Sequence, residues 1–169
     1  MQMEALKKIF GTLNKENVRY LIAGGLAVVA HGYVRFTADI DMILQMEPNN
    51  LKISMKLFDS IGYRPRAPVK IDEFVDPEKR SEWIKNKGLT VFSLWNPDYP
   101  ATEIDIFVKE PIPFDEAYKN REYFEIADGI NVTVIGLDDL IEIKKLAGRQ
   151  RDIEDIEKLN ALRAAETND

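Results

Sequence analysis

The chain reads as an α+β (α/β) protein: a mixed β-sheet flanked by helices, with a helical C-terminal segment. Three observations predict this class. Asp39–Met46 and Glu103–Val108 alternate acidic with apolar residues at the period of a strand. Apolar residues at helical spacing recur between these segments and again through 137–163. The order of elements is helix, strand, helix, strand, helix, then strands, then helices, which suits a sheet covered by helices.

Each element has a local reason. In Glu4–Leu13, the residues Leu6, Ile9, Phe10 and Leu13 form one helical stripe. Val18–Ala23 is a short apolar run suited to a buried strand, and Gly24-Gly25 follows at once. Leu26–His31 reads as a short helix ended by Gly32, and Pro48–Gly62 as a helix stopped by glycine. Tyr63–Lys70, with Pro65, Pro68 and three cationic residues, reads as an exposed loop. Asp76-Pro77 begins a helix that runs through Trp83 to Lys87, with an N-cap aspartate, proline at its first position and Gly88 after it.

Leu89–Trp95 and Glu103–Val108 are strands joined by the turn-rich segment 96–100. Phe114–Asn120 is a short helix, and Glu122–Ala127 and Ile130–Val134 flank Asp128-Gly129, a signal for a type I′ hairpin. In Leu137–Arg163, Leu140, Ile143 and Leu146 form one core stripe; Ile153, Ile156 and Leu159 form another after Gly148. Fraying is expected only from about Ala164 to Asp169. A length of 169 residues fits one domain, with a core of about 1–135 and C-terminal helices over about 137–163.

Composition narrows the chemistry. There is no cysteine, which excludes disulfides, thiolate metal sites and a cysteine nucleophile. The single histidine, His31, excludes a multi-histidine zinc site; packing or capping at its helix end is the expected role. A net charge of −6 argues against non-specific nucleic-acid binding over the whole surface. No apolar stretch of signal-peptide or membrane-spanning length occurs, so a cytoplasmic protein without a membrane partner is expected. Carboxylates, lysines and arginines remain to carry the chemistry.

Three features stand out. Gly24-Gly25 lies at a strand-to-helix junction, where backbone can approach a phosphate closely and free N–H groups point at it; a simple tight turn is the other reading. Alternation sends Asp39 and Asp41 to one strand face, where they repel one another unless the face is solvated or a divalent cation sits between them. Glu103-Ile104-Asp105 repeats the pattern on a later strand, so Asp105 completes a cluster if the strands are neighbours, with Glu103 as its rival. Three carboxylates with room for water and phosphate suit Mg²⁺ or Mn²⁺.

The order of these features carries a resemblance. Ile22-Ala23-Gly24-Gly25 through Arg35-Phe36-Thr37-Ala38-Asp39-Ile40-Asp41-Met42 resembles the signature of the DNA polymerase beta-like nucleotidyltransferase superfamily. There a glycine pair opens a helix and an acid-x-acid pair follows on the next strand. Lys144, then Gly148-Arg149, then Asp152, are similar to the tail of the minimal bacterial and archaeal members related to abortive-infection toxins.

The resemblance covers most of the chain and implies a nucleotidyltransferase fold and transfer of a nucleoside monophosphate from an NTP to a hydroxyl. It implies Asp39, Asp41 and Asp105 as catalytic and metal-holding residues, with Mg²⁺ or Mn²⁺ as cofactor. Gly24, Gly25, Arg35, Thr37, Lys144 and Arg149 would face the nucleotide, although solvated helix charges are the other reading of Lys144 and Arg149. The acceptor stays open among RNA, protein and small molecule. A toxin-like enzyme with an antitoxin-like partner, an antibiotic nucleotidyltransferase and a non-catalytic nucleotide- or partner-binding module are all compatible with the same fold.

Overall fold

A computed structural model describes residues 1–167. Its elements are α1 (Met3–Lys15), β1 (Tyr20–Ile22), α2 (Gly24–Ala30), β2 (Asp39–Leu44), α3 (Pro48–Ser60), β3 (Arg64–Pro65) and a 3₁₀ turn (Ile71–Val75). They continue with α4 (Pro77–Lys87), β4 (Val91–Trp95), β5 (Glu103–Phe107), α5 (Phe114–Lys119), β6 (Glu122–Ala127), β7 (Ile130–Val134), α6 (Leu137–Ala147) and α7 (Gln150–Glu166).

The strands form one mixed sheet in the order β3-β4-β5-β2-β1-β7-β6. Pairing is parallel between β2 and β5 and between β1 and β7, and antiparallel elsewhere. Alternation on the three strands β4, β5 and β2 decides what each face carries. Phe92 and Leu94, Ile104 and Ile106, and Ile40 and Met42 are buried on one side. Ser93, Asp105, Glu103, Asp39 and Asp41 stand half-buried on the other. The apolar side packs into one core with α1, α3 and the 3₁₀ turn, including Phe10, Phe58 and Phe74.

Several sequence expectations need adjustment. The loop expected over 63–70 contains β3, a two-residue edge strand against Leu94 and Trp95. Proline is tolerated there because an edge strand leaves part of its backbone unpaired. Helix α2 opens at Gly24, not Leu26, and β1 is shorter than Val18–Ala23.

The β6–β7 turn is not of type I′. That turn needs positive φ at both central residues, and of the two only Gly129 (φ 73°) has it. A register irregularity between Glu125 and Ala127 accompanies the turn. Leu146 and Ile153 are exposed rather than in the core, because ion pairs instead of apolar contacts dominate where α6 meets the start of α7. Helix α7 runs to Glu166, past the expected onset of fraying; residues 168 and 169 lie outside the described residues. Among the described residues no helix is long and apolar enough to cross a membrane.

Candidate active site

The parallel register of β2 and β5 pairs Asp41 with Asp105 and Asp39 with Glu103. The antiparallel register of β4 and β5 pairs Ser93 with Asp105. Three strands thus present one polar row, Asp41–Asp105–Ser93, on the open face of the sheet. Ser93 Oγ donates to Asp105 Oδ1 at 2.5 Å, which fixes that carboxylate and leaves its second oxygen without this bond.

Glu103 is engaged differently. Its carboxylate forms an ion pair with Arg66 from the segment after β3, with Nε at 3.1 Å from Oε2.

The glycine turn closes over Asp41. The Ala23 backbone N–H donates to the Asp41 carbonyl at 2.9 Å, holding the turn against β2. Gly24 has φ 58°, and a Cβ there would lie 1.8 Å from Asp41 Oδ2. Only glycine allows this approach. A Cβ on Gly25 would lie 2.3 Å from Thr37 Oγ1 and 3.1 Å from Arg35 Nη1. The residue pairs at 24–25, 35 and 37, and 39 and 41 therefore meet at one place.

The electrostatics of that place are unbalanced toward negative charge. Burial pushes the Asp41 carboxyl up to about 6, aided by the charges of Asp105 and Asp39 and opposed by a hydrogen bond from the Gly25 backbone and by the charge of Lys144. Asp39 is also raised, first by burial and then by Asp105 and Glu103. Like charges held together in this way disfavour their own ionised forms.

The C-terminal cations take other partners than expected. Lys144 is 4% exposed, and its ammonium donates to Asp155 Oδ2 at 2.7 Å and Asp152 Oδ1 at 3.2 Å. Arg35 donates through Nε and Nη2 to the two oxygens of Asp155, at 2.7 and 2.9 Å. The physical reason is the spacing of Asp152 and Asp155, three apart on α7, which sends both carboxylates to one face, toward α6 and the loop before β2. Arg149 pairs with Asp152 at 2.8 Å but keeps its side chain 77% exposed, so it remains open to an anion.

Sequence reasoning singled out Asp152 as part of the tail, read Arg66 as one of the cations of an exposed loop, and overlooked Asp155 and Ser93. The Asp152–Asp155 spacing was the available signal for Asp155. Strand alternation in Leu89–Trp95 was the signal for Ser93; the cationic run of 63–70 flagged Arg66 without indicating Glu103 as its partner.

His31 packs. Its ring is edge-on to Phe124, and Nε2 lies 2.8 Å from the Ile135 carbonyl oxygen. Among the described residues no group of three or more His, Asp or Glu side chains is drawn together as a closed metal cage. The donor set nonetheless fits an oxygen-seeking divalent cation, because Asp39, Asp41 and Asp105 share one face and the charge of Asp105 helps raise the proton affinity of the other two.

A family described as nucleotidyltransferase of unknown function (DUF6036) matches residues 2–165. The chain belongs to that family. By class it is therefore a nucleotidyltransferase.

Solved structures share the fold. The lincosamide antibiotic adenylyltransferase LnuA, bound to lincomycin, superposes with a TM-score of 0.62 at 15% identity, over 95% of this chain and 97% of that one. ANT(2'')-Ia in complex with adenylyl-2''-tobramycin gives 0.57 at 19% identity, over 97% and 95%. A candidate nucleotidyltransferase from Thermotoga maritima, TM1012, gives 0.58 at 16% identity, over 99% and 93%. No curated protein matches the chain in sequence.

Proposed function

We propose that the chain transfers a nucleoside monophosphate from an NTP to an acceptor hydroxyl in a divalent-metal-dependent reaction. One observation carries this reading: acids from β2 and β5 stand in register beside a glycine turn so close to Asp41 that no side chain fits between them.

Asp39, Asp41 and Asp105 would hold Mg²⁺ or Mn²⁺, which when bound supplies the positive charge that offsets the triphosphate and the carboxylates. The backbone of Gly24 and Gly25 receives the phosphates, flanked by Thr37, Arg35 and the exposed Arg149. Asp105 accepts the proton of the acceptor hydroxyl, its other oxygen being occupied by Ser93. The acceptor oxygen bonds to the α-phosphorus as the bond to the β-bridging oxygen breaks, and pyrophosphate leaves. Asp105 is preferred to Glu103 for this role because it is in register with Asp41, whereas Arg66 already pairs with Glu103. Cytoplasmic NTP would supply the donor.

Thermal-shift titration of the four NTPs with Mg²⁺ or Mn²⁺ tests the binding half: the native chain gains stability and the Asp39→Asn/Asp41→Asn variant does not. α-Labelled NTP offered with RNA, protein and small hydroxyl compounds then identifies the acceptor. No stabilisation by any nucleotide with either metal would sink the proposal.

A further inference from the structure

Behind the glycine turn runs a chain of ion pairs that the proposed reaction does not use directly. Asp155 is 1% exposed, yet its carboxylate meets two cations. Oδ1 accepts from Arg35 Nε, and Oδ2 accepts from both Arg35 Nη2 and Lys144 Nζ. Buried ion pairs of this kind contribute little net stability compared with apolar packing of the same volume, so stability alone does not account for them.

What they do is visible in the geometry. Arg35 has one nitrogen left, Nη1, which donates to the Phe36 carbonyl at 2.9 Å and lies 3.1 Å from the position of a Cβ on Gly25. Arg151 of α7 donates to the same carbonyl at 2.7 Å. The segment carrying Arg35 and Thr37 is thereby clamped over Gly25 from the helix behind it, and the same carboxylate ties this clamp to Lys144 of α6.

We propose that Asp155 is a positioning residue for nucleotide binding, fixing the Arg35–Thr37 wall of the glycine turn in place before the triphosphate arrives. The inference rests on the nucleotidyltransferase reading above. A bidentate fork holds a guanidinium in orientation as well as position, which a single-point contact does not. The opposite idea, that Asp155 competes with the triphosphate for Arg35 and Lys144, predicts an effect of opposite sign.

The test is calorimetric titration of each α,β-methylene NTP (A, G, C, U) with Mg²⁺ into the native chain, Asp155→Asn and Asp155→Glu, with hydrogen exchange of the 32–38 segment measured alongside. Asp155→Asn is expected to weaken the best-binding nucleotide about tenfold, the loss of one charge-assisted bond network, and to speed exchange in 32–38 while the β2 and β5 amides stay protected. Asp155→Glu, which keeps the charge and displaces the fork by one methylene, is expected to lose about threefold.

Unchanged affinity in Asp155→Asn would overturn the inference, as would tighter binding, which would make the carboxylate a competitor. Should Asp155→Asn not fold, native affinity in Asp155→Glu overturns it equally. A native chain that binds none of the four nucleotides defeats the functional reading itself, a result distinct from either.

Discussion

Asp41 and Asp105 stand opposite one another in register on adjacent parallel strands, 64 positions apart in the chain. Among the described residues neither has a hydrogen-bonded cation of its own; Asp41 is instead walled by Gly24, and Asp105 is anchored by Ser93. The pair is stored in the folded protein as an unfavourable charge arrangement, and its energetic cost is measurable.

Asp41 titrates near 6 in the folded protein against an ordinary value of 3.8, first because it is buried. A carboxyl raised on folding stabilises the native state below the unfolded value, and that contribution is lost as pH rises through about 6. At pH 7 the ionised group therefore works against folding. Asp41→Asn should stabilise the metal-free protein at neutral pH by on the order of 1–2 kcal/mol, allowing for residual hydration. Its Tm should rise by a few degrees at pH 7, with the difference from the native chain vanishing below about pH 4. A lower Tm at pH 7 would contradict the charge assignment.

Gly24→Ala places a methyl group on the Asp41 carboxylate and demands φ 58° of an alanine. The backbone penalty is about 1 kcal/mol. The displaced carboxylate matters more, because a shift of about 1 Å in a reacting group lowers rates by about 10²-fold. Label transfer should fall by about that factor and nucleotide-dependent stabilisation should shrink, with circular dichroism unchanged.

Asp152 and Asp155 lie below the ordinary carboxylate range. Burial opposes their ionisation, but hydrogen bonds and charges from Arg149 and Lys144 for Asp152, and from Arg35 and Lys144 for Asp155, outweigh it. Groups depressed on folding stabilise the native state above the unfolded value of 3.8, and that stability is lost as pH falls through their lower folded values. Amide exchange along α7 should therefore accelerate as pH falls below about 4, ahead of the β2 and β5 amides. An Asp152→Asn/Asp155→Asn variant should be less stable at pH 7 and show a flatter response in that window.

Asp105→Asn and Glu103→Gln separate the two acids of β5. The first should lower label transfer by about 10²–10⁴-fold, as loss of a general base does. The second removes a half-exposed ion pair with Arg66 and should cost no more than about fivefold. A reversed order would move the proton-accepting role to Glu103.

Much of this site was legible without coordinates because strand alternation is a local rule. Once Asp39-x-Asp41 and Glu103-x-Asp105 are read as strands, their shared face follows from the pleat. That β2 and β5 are neighbours does not follow, since α3, β3, α4 and β4 intervene and pairing is a property of the whole sheet. Lys144 shows the limit most clearly. On an isolated helix it reads as a solvated charge or a phosphate ligand, and only the packing of α7 against α6 converts it into a buried counterion. Edge strand β3 was hidden by Pro65 and the nearby Pro68, and Leu146 by a helical stripe that continues past the end of the packed interface.

The bond between Arg35 and Asp155 spans 120 positions of sequence. During synthesis, the glycine turn and both acid strands leave the ribosome before α7 exists to brace them. A nascent chain can close its sheet early and still lack the brace behind Arg35, so competence for nucleotide should arrive with translation of α7 rather than with assembly of the sheet.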